Sequence, residues 1–165
     1  MKKTTKIWLV IAAILIVLGG VIFVGVMTEL KWDFSKIVTD KYVDNVYEIT
    51  EEFQNISINA STSDIVFAVS DDGNCRVECH EDDKELHIVG VREGTLCVEL
   101  TNAKAWYDNI GIYSGSSKIT VYLPKNVALT NVEISASTSD ILFEDVNATN
   151  IKISVTTGDV DVKDV

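Results

Sequence analysis

The chain has 165 residues, 25 acidic and 14 basic, for a net charge of −11. That length allows one domain plus an extra segment, and the acidic balance argues against nucleic-acid binding, which needs Lys and Arg to neutralise phosphates. From Lys31 onward 11 basic residues face 24 acidic ones, a net charge of −13, which also argues against this part lying flat on anionic lipid.

The first predicted element is a transmembrane helix over residues 7–28, behind a cytoplasmic tail, MKKTTK, at residues 1–6. Ile7 to Thr28 runs 22 residues without a charge. A helix of that length spans about 33 Å, enough for a hydrocarbon core of roughly 30 Å. A cleaved secretory signal has a shorter apolar core, about 7–15 residues, and a small-residue cleavage site; VMTELKW offers none. Lys2, Lys3 and Lys6 favour a cytoplasmic N-terminus, which places the rest of the chain outside the cell. Residues 29–54, mixed and charged, read as a juxtamembrane lead-in.

Residues 55–165 show almost no helical period. ISINA, CRVEC, TLCVEL, KITVYL, VEISA and IKISV alternate at period two and read as strands. An internal repeat organises them. Residues 56–67 and 132–143 share eight identities in twelve, including STSDI at 61–65 and 137–141, and TTGDV follows at 156–160. The third copy starts nineteen residues after the second, and the first two lie 76 apart, four times nineteen. Such a period suits one coil of a β-solenoid. Between the copies, CRVECH, ELHIVGV and TLCVELT are separated by the turn signals EDDK and REG, which predicts an antiparallel meander. The fold class expected is all-β, a right-handed β-helix or solenoid-like repeat domain with that meander, preceded by one transmembrane helix. The last copy stops short at Val165, so C-terminal truncation is expected.

The polar tetrads sit between strands, where Ser, Thr and Asp bond to nearby backbone and Gly supplies positive φ. Asp64, Asp140, Asp159 and Gly158 are therefore read as structural corner residues. A calcium ladder is the sharper alternative, but a hard cation needs six to eight oxygens and each copy offers one Asp. Trp106 and Tyr107, in KAWYDNIGIY, are the candidate binding residues, as a carbohydrate-stacking pair or as packing over a loop.

Catalysis finds no motif. His80 and His87 flank an acidic turn and read as polar-face residues, and outward strand positions form no consistent column. Cys75 and Cys79 lie four apart on one strand, about 13 Å between Cα atoms and beyond bridging range, while Cys97 faces the other way. No disulfide, metal or cofactor is expected.

The segments EITEEFQNISINASTSDIVF, WYDNIGI, SSKITVYLPKNV and ISVTTGDVDV resemble the bacterial "putative adhesin" family, a domain of unknown function built from β-strand repeats. The resemblance covers residues 45–165. It implies a single-span or secreted envelope protein with a β-helix-like fold and no assigned catalytic residues. The usual corner there is T-G-D, from which Ser63 and Ser139 depart. The function expected is a non-enzymatic, membrane-anchored cell-surface module that binds an envelope or surface macromolecule. The alternatives are an accessory of envelope-stress or membrane signalling and, more remotely, a glycan-processing enzyme.

Overall fold

The computed structural model describes residues 3–33, 41–101, 115–125 and 127–163. The chain divides into two units, Met1–Thr39 and Asp40–Val165.

In the first unit, helix α1 runs from Lys3 to Glu29. It is long and apolar enough to cross a membrane, and a helix apolar on every side has no wet face to offer. Its C-terminus is closed without glycine. Lys31 and Trp32 take positive φ (55° and 58°), the Trp32 N–H donates to the Met27 carbonyl at 2.9 Å, and the Lys31 N–H donates to Thr28 at 3.0 Å. These are the two bonds of a Schellman cap. The Trp32 ring meets Phe23 edge-on, 6.5 Å between centroids.

The second unit is all strand. Its elements are β1 (Tyr42–Ile49), β2 (Asn55–Ala60), β3 (Asp64–Val69), β4 (Cys75–Asp82), β5 (His87–Arg92), β6 (Thr95–Leu100), β7 (Lys118–Leu123), β8 (Ala128–Thr138), β9 (Ile141–Glu144), β10 (Asn147–Thr157) and β11 (Val160–Lys163). They form two mixed sheets, one ordered β1-β4-β7-β3-β9-β11 and the other β10-β8-β2-β6-β5.

The repeat explains this division. Each copy is a strand, a polar corner and a second strand, and the corner sends the chain from the five-stranded sheet to the six-stranded one: β2 to β3, β8 to β9, β10 to β11. Like strands then pair in parallel, with Ile58 opposite Ile134 and Ile153 opposite Ile134. The offsets are those of the sequence repeat, 76 and 19. Period-two alternation places Ile56, Ile58, Ile65 and Phe67 between the sheets with Val132, Ile134, Ile141 and Phe143, all buried. Phe67 and Phe143 meet ring to ring at 4.6 Å. Truncating either to Ala would cost about 3–5 kcal/mol.

The strands β6 and β7 flank the first copy on its other side, both in parallel. The chain-order first copy therefore lies between the interposed strands and the second copy.

Three expectations are corrected. The meander is only half present: β5 and β6 form an antiparallel hairpin across Glu93–Gly94, whose positive φ values (49° and 72°) suit a tight hairpin turn, but β4 pairs with β1 and β7 in the other sheet. The lead-in contains β1, whose alternation is masked because Asn45 points inward and Val46 outward. Outward positions do form a column: the Asn131 amide donates to Asn55 at 2.8 Å, and the Asn150 amide donates to Asn131 at 3.1 Å.

His87 is the fourth correction. It is buried with Glu81, not on a polar face. One Glu81 oxygen accepts the His87 backbone N–H at 2.8 Å and pairs with Nδ1 at 2.7 Å. The other accepts the Asn45 amide at 2.7 Å, and the Tyr47 hydroxyl donates to the His87 carbonyl at 3.0 Å. Burial, then the charge of Glu81, raises the Tyr47 pKa. This cluster ties β1, β4 and β5 together where the chain passes between sheets.

Candidate functional site

The corners are built from the backbone outward. Asp64, Asp140 and Asp159 occupy equivalent places in the three copies, and the first two carboxylates each serve the next coil. Asp64 Oδ1 accepts the Asp140 N–H at 3.0 Å, and Asp140 Oδ1 accepts the Asp159 N–H at 2.9 Å. The buried Ser139 hydroxyl donates to the Ser63 carbonyl at 2.7 Å. Gly158 differs from both serines: its φ is +130°, and an added Cβ would overlap the Ser139 carbonyl. Glycine is needed at this one corner because the backbone there bends into the coil beneath it.

The same row continues across the outer face of the six-stranded sheet. Register places Lys118 opposite Asp64, His80 opposite Lys118 and Asp44 opposite His80. Asp44, His80, Lys118 and Asp64 lie on β1, β4, β7 and β3, and Asp140 and Asp159 stand at the corners just before β9 and β11. A parallel row runs beside it through Val46, Glu78, Thr120, Val66, Leu142 and Asp161. Two hollows open between such rows. One, a cleft of about 310 Å³, is lined by Asp44, Val46, Glu78, His80, Lys118, Thr120 and Tyr122 among others. The other, a groove of about 420 Å³, is lined by Asp64, Asp140, Leu142, Asp161 and Lys163 among others. Lys118 borders both.

The cleft's side chains are held in place. His80 Nδ1 lies 2.6 Å from Asp44 Oδ1, and its ring stacks on Tyr42 at 4.9 Å and 5°. A Cβ at Gly115 would collide with that Tyr42 ring. Arg76 lies 3.9 Å over the Tyr122 ring and donates to Glu78 at 3.0 Å; the Glu78 bond, with its charge, raises the Arg76 pKa. Among the described residues Lys118 makes no ion pair.

The cleft offers hydrogen-bond donors and acceptors of both charges. A His–Asp pair can activate an adjoining nucleophile, and the Lys118 amine and Thr120 hydroxyl share the cleft with His80. Cys79, next to His80 in sequence, points to the opposite face of β4, and burial pushes its thiol up to about 12. Burial likewise raises the Cys75 thiol to about 11. Cys97 lies on the outer face of the five-stranded sheet, its thiol directed to the Thr95 carbonyl. No three His, Cys, Asp or Glu side chains among the described residues are grouped to hold a metal, and two corner aspartates already spend an oxygen on backbone.

Trp106 and Tyr107 lie outside the described residues. Of the cleft residues the sequence singles out His80 alone, as a polar-face residue; Asp44, Lys118, Thr120 and Tyr122 carry no signal there. Their grouping depends on the pairing of β1, β4 and β7, which no local pattern announces.

Several solved structures are similar. One described as a putative cell adhesion protein from Clostridium sporogenes is 11% identical, with a TM-score of 0.50 over 72% of this chain and 59% of that one. One described as a putative adhesin from Bacteroides fragilis is 21% identical, with a TM-score of 0.44 over 76% and 61%. A putative lipid binding protein from Parabacteroides distasonis is 16% identical, with a TM-score of 0.44 over 65% and 43%. The aligned part spans less than two thirds of each of those chains. No curated protein matches. Residues 53–165 match the family described as Toastrack DUF4097, and with two thirds of its length inside that match the chain belongs to the Toastrack DUF4097 family.

Proposed function

We propose that this protein is a non-enzymatic, membrane-anchored surface module of the bacterial cell envelope, with an adhesin-like binding role. The observation that carries the reading is the in-register stacking of the repeats, which sets polar side chains in rows across a rigid sheet. Such rows suit an extended partner, because each strand adds a contact at a fixed spacing of about 4.8 Å. We read the stacked strand–corner–strand units as one β-solenoid. The uncharged span of the N-terminal helix, preceded by Lys2, Lys3 and Lys6, is its membrane anchor with the N-terminus in the cytoplasm. The partner is an envelope or surface macromolecule.

A second reading, an accessory of membrane signalling, is favoured by one feature, the basic tail and span directly preceding the domain. Replacing residues 7–28 with an unrelated apolar helix of equal length separates the two. Surface binding by cells carrying this variant supports the module reading; loss of a stress response with binding intact supports signalling. Protease added to intact cells should remove residues 41–163 and spare the N-terminus. Protection of that region until the cells are lysed would place it inside and end the proposal.

A further inference from the structure

The surface-module reading leaves the ligand's chemistry open, and the cleft between β1, β4 and β7 narrows it. Its volume of about 310 Å³ is at the low end for small-ligand sites, roughly one or two sugar rings. Its polar groups carry both signs in alternation. An anion entering beside Lys118 meets Asp44, Glu78 and the neighbouring Asp64; a cation approaching those carboxylates meets Lys118. A neutral ligand that donates and accepts several hydrogen bonds avoids both conflicts. Lys118 offers donors, the carboxylates of Asp44 and Glu78 offer acceptors, and the Thr120 hydroxyl offers either.

The rings supply the remaining contacts. His80, backed by the stacked Tyr42 ring, and Tyr122, with Arg76 over one face, line the cleft as flat, amphipathic surfaces against which the C–H face of a pyranose packs. Asp44 is held by His80 and Glu78 by Arg76, so these acceptors lose less entropy on binding. Beyond Lys118 the row continues into the groove along Asp64 and Asp140, an open path for further units of a linear chain.

From these features we infer that the outer cleft at Asp44, Glu78, His80, Lys118, Thr120 and Tyr122 binds a neutral saccharide, as one unit of a linear glycan. This rests on the surface-module reading only for its setting; the cleft's chemistry stands apart from it.

The test uses the full chain in lipid nanodiscs, titrated calorimetrically with cellotetraose and N,N′,N″,N‴-tetraacetylchitotetraose. Tetragalacturonate serves as the anionic probe and spermine as the cationic one. Saturable binding of a neutral tetrasaccharide is expected, weakened about tenfold or more by Lys118→Met and by Thr120→Val, each with an unchanged melting temperature. Ser135→Ala, on the far sheet, should leave it unchanged. The inference is overturned if neither neutral probe binds to the folded protein at 10-fold the roughly millimolar range expected of an open site. Binding that ignores both cleft variants, or a clear preference for tetragalacturonate or spermine, overturns it too. If the nanodisc-held protein captures whole cell walls yet neither neutral sugar, the saccharide inference falls and the surface-module reading survives.

Discussion

At the scale of single residues, each aspartate corner is a hydrogen-bond relay between coils, and its contribution is measurable. Asp140→Ala removes the acceptor for the Asp159 N–H and frees the Asp64 carboxylate from nothing else, so it should cost about 0.5–1.5 kcal/mol. Asp140→Asn keeps an oxygen at that place and should cost less; urea unfolding midpoints of the two variants decide this. The buried Glu81 carries more. Its carboxylate pairs with three nitrogens from β1 and β5, and Glu81→Ala would leave the buried His87 groups unpaired, at about 1–3 kcal/mol for each buried group left unsatisfied. The buried thiols give a pH dependence of defined sign. Cys79 ionises only at about 12 in the folded chain, against an ordinary 9.0. The unfolded chain thus releases this proton first, so the stability is full below about pH 9 and declines as pH rises toward 12. Denaturant titrations from pH 8 to 11 should show that decline, and Cys79→Val should reduce it. The corner positions are legible in sequence because the same tetrad recurs. Glu81 is not, since an acidic residue beside EDDK gives no sign that β4 buries it.

At the scale of elements, the strands and their repeat offset follow from alternation, but sheet membership does not. CRVECH and ELHIVGV have the spacing of a hairpin, yet the chain crosses between sheets there, because Glu81 and His87 join inside rather than turning back on the surface. Strand β1 is obscured for a related reason: Asn45 takes an inward place to reach Glu81, which breaks the apolar period. The asparagine column needs the 76- and 19-residue offsets applied to outward positions as well as inward ones. Asn131 is its central member, bonded on both sides, so Asn131→Ala should lower stability by about 1 kcal/mol. Asn55→Ala, which removes one of those two bonds, should cost less. Thermal unfolding monitored by far-UV circular dichroism would rank them.

At the scale of the whole molecule, an apolar helix of membrane-spanning length precedes a domain whose outward faces carry ordered polar rows. The helix is visible in sequence as an uncharged run, and the rows become visible only once strands are placed side by side. The most direct test of the surface-module account is co-sedimentation of the full chain in nanodiscs with purified cell wall and with whole cells, with and without calcium. The account predicts saturable binding independent of calcium. Binding only in calcium would contradict the corner assignment of Asp64, Asp140 and Asp159, and no binding by a protein shown to be folded would contradict the account itself.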